Sequence, residues 1–205
     1  MQQCCIKCFI FALLFNQNKK TMQKNLLLIA VLWVSVYFSA CVKDPIIPNE
    51  EEVITTLRYT LTTDSVGVPI VLSFQDLDGD GGNAPIISGG TLAANTTYTA
   101  SLELLNEIAN PAEDITDEIA AEAEAHQFFF QTNLNGLTVD YDDVDADGKP
   151  IGLATKVTTT DAASGTITII LRHEPNKTAA NVANGDITNA GGETDIQVTF
   201  TVDVQ

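Results

Sequence analysis

From residue 53 onward, hydrophobic and polar side chains alternate in short stretches separated by Gly, Asn and Asp clusters. Ile54, Leu57, Tyr59 and Leu61 stand among threonines, as on a strand with one face buried. Similar stretches follow at 68–74, 97–105, 128–134, 137–141, 151–157, 166–172 and 196–204. The last is the clearest, with Ile196, Val198, Phe200, Val202 and Val204 alternating with Gln, Thr, Thr and Asp. About eight short strands divided by turns predict an all-β, two-sheet sandwich. One helix is expected within the series, over 111–125. Asn110 would serve as its N-cap, Pro111 as its first residue and Glu113 as the capping-box acid. Ile115 and Ile119 share one face of that helix, which would cross between two groups of strands.

Compared with itself at an offset of 67, the chain repeats. Phe74-Gln-Asp-Leu-Asp-Gly-Asp-Gly81 aligns with Tyr141-Asp-Asp-Val-Asp-Ala-Asp-Gly148, and Leu72, Thr99, Leu102, Leu104 and Glu107 meet Val139, Thr166, Ile169, Leu171 and Glu174. The sandwich is therefore expected to be built from two similar halves joined by the helix.

The first forty residues follow another pattern. Met22-Gln-Lys-Asn25 precedes an apolar run from Leu26 to Phe38, then Ser39-Ala40-Cys41. This reads as a basic region, a hydrophobic region and a small-residue cleavage site. Residues 26–40 are too short for the roughly 20 residues that cross a bilayer. Phe38-Ser39-Ala40-Cys41 resembles a bacterial lipobox, with Phe38 where Leu or Val is usual. The resemblance implies lipid on Cys41, and hence a membrane as partner. Residues 1–21 are expected to be an upstream over-extension of the start, 22–40 the signal peptide, 41–52 an acidic tether and 53–205 the β domain.

Charge narrows the partners. All 27 acidic residues follow Cys41, against six basic ones, a formal balance of −21 for that segment. Phosphate recognition rests on Lys and Arg, so nucleic acid is excluded as a partner. Cys4, Cys5, Cys8 and Cys41 are the four cysteines. The β domain therefore has no disulfide, thiolate metal site or cysteine nucleophile.

Both repeats carry Asp-x-Asp-x-Asp-Gly: Asp76, Asp78 and Asp80 before Gly81, and Asp143, Asp145 and Asp147 before Gly148. Alternate carboxylates followed by glycine can converge on a hard cation, which makes calcium the candidate cofactor. The pattern resembles the first half of an EF-hand or dockerin loop, but Ile87 and Ala154 stand where the closing Glu belongs. Further ligands would have to come from elsewhere, with Glu107 and Glu174 as candidates. The alternative is an Asp- and Gly-rich turn without an ion. His126 and His173 are not spaced as a metal pair and read as structural histidines at the ends of elements. No nucleophile elbow, His-Glu-x-x-His or phosphate-binding glycine loop is present.

Beyond the lipobox, six segments carry a resemblance to small β-rich lipoproteins of Bacteroidetes. They are the Asp-rich loops and the stretches 50–56, 126–130, 172–177 and 191–196 (Glu-Glu-Glu-Val-Ile-Thr-Thr, His-Gln-Phe-Phe-Phe, Arg-His-Glu-Pro-Asn-Lys and Gly-Gly-Glu-Thr-Asp-Ile). The resemblance implies an outer-membrane lipoprotein, periplasmic or surface-facing, and brings no catalytic residues with it. The expected function is non-catalytic binding of an envelope protein, glycan or other ligand. A carboxylate-dependent hydrolase and an accessory subunit of an outer-membrane complex are the alternatives.

Overall fold

The computed structural model describes residues 52–63, 67–79 and 81–205, which belong to a unit spanning Glu50–Gln205. The expectations for the signal peptide, Cys41 and residues 41–51 of the tether lie outside the described residues, as does Asp80. Among the described residues, no helix is long and apolar enough to cross a membrane.

All eight predicted strands form, each at least five residues long. They are β1 (Thr56–Thr62), β2 (Ile70–Gln75), β5 (Thr97–Asn106), β7 (His126–Thr132), β8 (Leu137–Tyr141), β9 (Ala154–Thr159), β10 (Ala163–His173) and β11 (Glu193–Val204). Three more are too short to show a period: β3 (Ile86–Ser88), β4 (Gly90–Leu92) and β6 (Glu113–Asp114).

The strands make two sheets. One runs β3-β2-β1-β5-β9-β8, with β6 also on β5; the other runs β4-β11-β10-β7. Neighbours are antiparallel except β4 and β11, which are parallel. Leu57, Tyr59 and Leu61 of β1 and Leu102 and Leu104 of β5 pack with Ile167, Ile169 and Leu171 of β10 and Val198, Phe200 and Val202 of β11. Each such fully buried side chain contributes about 1.5–3 kcal/mol.

The helix is shorter than predicted. Helix α1 spans Ile115–Ala121, capped by Asp114, whose side chain accepts from Thr116 N. Glu113 and Asp114 pair with β5 as the chain approaches the helix, so Asn110, Pro111 and Glu113 do not cap it. A single 3-10 turn, Ala123–Ala125, replaces the predicted last turn. Ile115 and Ile119 are buried as expected, and the segment carries the chain from one sheet to the other.

The repeat survives in one pairing. β5 lies against β1 as its counterpart β10 lies against β7. The halves nevertheless interleave: β2 pairs with β1, whereas its counterpart β8 pairs with β9 in the same sheet as the first half.

The second sheet is buried on both faces near β7. Phe128 points into the main core, while Phe129 and Ile170 pack beneath Val182 and Ala190 of the segment between β10 and β11. This two-sided burial explains why the Phe128–Phe130 run does not alternate.

Candidate metal centre

Four segments distant in sequence meet at one end of the second sheet. His126 opens β7 and His173 closes β10, and the two are directly paired across the ladder. Their rings lie 4.6 Å apart between centroids. On the other side of β10, Leu171 pairs with Ile196 but Arg172 pairs with Thr194. Asp195 is therefore the extra residue of a β-bulge, a device that turns a side chain out of strand alternation. Glu52 arrives from ahead of β1. One donor atom from each of Glu52, His126, His173 and Asp195 lies within 4.8 Å of the other three.

Local sequence holds these side chains in place. Gly192, just before β11, has φ of +70°, and a Cβ there would stand 2.2 Å from the His173 carbonyl oxygen. Only glycine lets this backbone approach so closely. Lys177 is buried and donates to the Ala123 carbonyl at 2.6 Å and to Asp145 Oδ2 at 2.8 Å, tying the turn before His126 to the second Asp-rich loop. Tyr141 donates to the Phe128 carbonyl at 2.7 Å, and burial pushes its hydroxyl pKa up to about 12, so it remains a donor.

The imidazole of His126 is fully buried, and its Nδ1 lies 3.1 Å from the Glu122 carbonyl. A carbonyl can only accept, so Nδ1 carries the proton of that hydrogen bond. Nε2 lies 3.0 Å from Glu52 Oε1, a contact with the distance of a hydrogen bond but not its alignment. The other oxygen of Glu52, Oε2, is buried without a hydrogen-bond partner. A set of two imidazoles and two carboxylates can chelate a metal ion.

The predicted aspartates go elsewhere. Asp76 accepts from the backbone of Gly79 at 2.9 Å, and Asp78 from the backbone and side chain of Asn83 at 3.0 and 2.6 Å. Those Asn83 hydrogen bonds hold the exposed Asp78 carboxyl below the usual carboxylate range. Asp143 accepts from Gly152 N at 2.7 Å and Ala154 N at 2.9 Å. Asp145 accepts from Asp147 N, Lys149 N and Lys177 Nζ at 3.0, 2.8 and 2.8 Å. Burial pulls its pKa upward, but the hydrogen bond and charge of Lys177, with the backbone donors, leave it lowered. Asp147 is exposed. Glu107 is held by Thr56, Gln75 and Arg58, and Glu174 is exposed, beside the pair to which His173 belongs.

No protein-family model matches the chain, and no curated protein matches it. Among solved structures it is similar to the crystal structure of the S-layer protein SbsC domains 4 and 5, at 13% identity and a TM-score of 0.27. The match covers 67% of this chain and 65% of that chain, so the chain spans just under two thirds of the protein it resembles. A likeness of that size carries no inference about function.

The two histidines form a pair, contrary to the expectation from their spacing. Spacing sets them apart, but strand pairing puts them side by side, and each of the stretches 50–56, 126–130, 172–177 and 191–196 contributes one donor. The available signal was the presence of a charged or imidazole side chain in every one of those stretches.

Proposed function

We propose that this chain is a cell-envelope lipoprotein, held at the outer membrane by lipid on Cys41, whose sandwich binds a ligand or surface component without catalysing a reaction. The observation that supports the non-catalytic reading is the burial of the His–carboxylate cluster. His126 and His173 are 0% and 6% exposed and the Glu52 side chain 10%, so the most concentrated set of reactive groups among the described residues is turned inward. A hydrolytic centre needs its acid and base within reach of a substrate. Binding would use the surface instead, where a groove of about 300 Å³ is lined by Val53, Phe74, Leu77 and Ile108, with Asp76 and Asp78 beside them.

Metabolic labelling with a fatty acid, followed by mass spectrometry, tests the anchor. Lipid on Cys41 is expected, with release of the protein from membranes in Cys41→Ala; an unmodified Cys41 would sink the proposal. A hydrolase screen tests the other half: turnover that falls in an Asp-to-Asn series would place the chain among enzymes.

The accessory-subunit reading has its own support at the edge of the first sheet. Ile86 and Ile87 of β3 are 68% and 46% exposed, and Val71 of the adjoining β2 is 41% exposed. Apolar side chains on an open edge strand suit a protein partner. Co-purification from detergent-solubilised envelope, lost in Ile86→Lys, would favour this reading over the first.

A further inference from the structure

We infer that Glu52, His126, His173 and Asp195 form a closed structural site for a divalent transition ion, zinc by its chemistry, which clasps the two sheets together. The contact between His126 and Glu52 is the first sign of such a site. With the proton on Nδ1 held by the Glu122 carbonyl, Nε2 of a neutral ring presents a lone pair to a carboxylate oxygen 3.0 Å away. Two electron-rich atoms buried at that separation need a proton shared between them or a cation.

Geometry favours the cation. A proton would align the pair as a charge-assisted hydrogen bond, and the contact lacks that alignment. One divalent ion with two neutral imidazoles and two carboxylates gives a neutral buried site. Glu52 Oε2, buried without a hydrogen-bond partner, adds a further oxygen for the ion.

The donor set selects the metal. Calcium takes six to eight oxygens and has little use for imidazole, whereas zinc accepts His nitrogen and Asp or Glu oxygen and closes its structural sites with four ligands. Zinc–ligand bonds of about 2.1 Å put tetrahedral donors about 3.4 Å apart. The four donors here lie within 4.8 Å of one another, so modest side-chain rotations close the shell. The Nδ1–H donated by His126 to a carbonyl is the outer contact that fixes the ligating tautomer.

The placement explains what the ion would do. Three ligands sit on β7, β10 and β11 of the second sheet, while Glu52 immediately precedes the segment that enters the first sheet as β1. The ion would tie the entry of the chain to the sheet opposite the one that it joins.

The test uses the full-length protein in detergent, with zinc itself as the probe. Elemental analysis after dialysis should find one zinc per chain. After chelator treatment, zinc should raise the melting temperature, calcium should not, and cobalt should give the visible absorption of a four-coordinate site. Loss of an outer-shell contact commonly weakens a metal site by roughly 10–100-fold, so Glu52→Gln should weaken zinc binding at least that much with its circular dichroism unchanged. His126→Ala could fail to fold, and Glu52→Gln is decisive because Glu52 lies outside every strand. Substoichiometric zinc with no thermal shift would overturn the inference, as would wild-type zinc affinity in Glu52→Gln or an equal response to calcium.

Discussion

The loop after β8 and the loop after β2 share the pattern Asp-x-Asp-x-Asp-Gly, yet they sit in opposite surroundings. After β8, the Asp145 side chain is 1% exposed and paired with Lys177, itself 6% exposed. After β2, Asp78 faces solvent and closes a small turn onto Asn83. The first arrangement makes its carboxylate part of the core, and the second leaves it as turn chemistry. A run of alternate aspartates therefore says little about ions until the neighbouring charges are known. In the buried loop an ammonium already stands against the carboxylate, from a stretch 32 residues further along the chain.

Breaking that pair should have the largest effect. Lys177→Met leaves Asp145 as an uncompensated buried charge and removes the donor to the Ala123 carbonyl, so a loss of about 3–5 kcal/mol is expected in urea denaturation. A loss below 1 kcal/mol would show that the pair contributes little.

Asp143→Ala comes next. It strips partners from Gly152 N and Ala154 N, and about 1–3 kcal/mol should follow in the same measurement.

Acid sharpens the comparison further. The folded pKa of Asp145 is lowered from 3.8, so its contribution is complete above that value and is lost as pH falls through the folded one. Asp145→Asn should flatten the fall in melting temperature below pH 3.8 compared with wild type. An unchanged acid limb would remove Asp145 from the account.

The smallest effect belongs to the exposed loop. Asp78→Ala should leave the melting temperature where it is, with or without added calcium. A calcium-dependent rise that disappears in Asp78→Ala would instead locate an ion there.

Much of the fold was legible because a half-buried strand writes its period into the chain. Ile196 to Val204 shows this best, with five apolar residues alternating inward on β11. The helix start was not legible because Asn110-Pro111 with Glu113 has the form of a cap, and only the pairing of Glu113 and Asp114 with β5 moves the start to Ile115. The His–carboxylate cluster was illegible for a different reason. Its four donors share no element, so no local spacing betrays them. His126 meets His173 through strand register, and Asp195 joins them through a bulge that breaks it. Register is set by the pairing of whole strands, which a motif scan does not see.

The position of β11 bears on how the molecule is made. It lies between β10 and β4, pairing Val202–Val204 with Gly90–Leu92, and Ala94 N donates to the carbonyl of Gln205. The strand synthesised after the other ten is thus the one that completes the second sheet and bonds to residues made more than a hundred positions earlier. Such long-range closure is slow. Until β11 emerges, the edges of β4 and β10 remain open, so the second sheet closes only when the last of these strands is available.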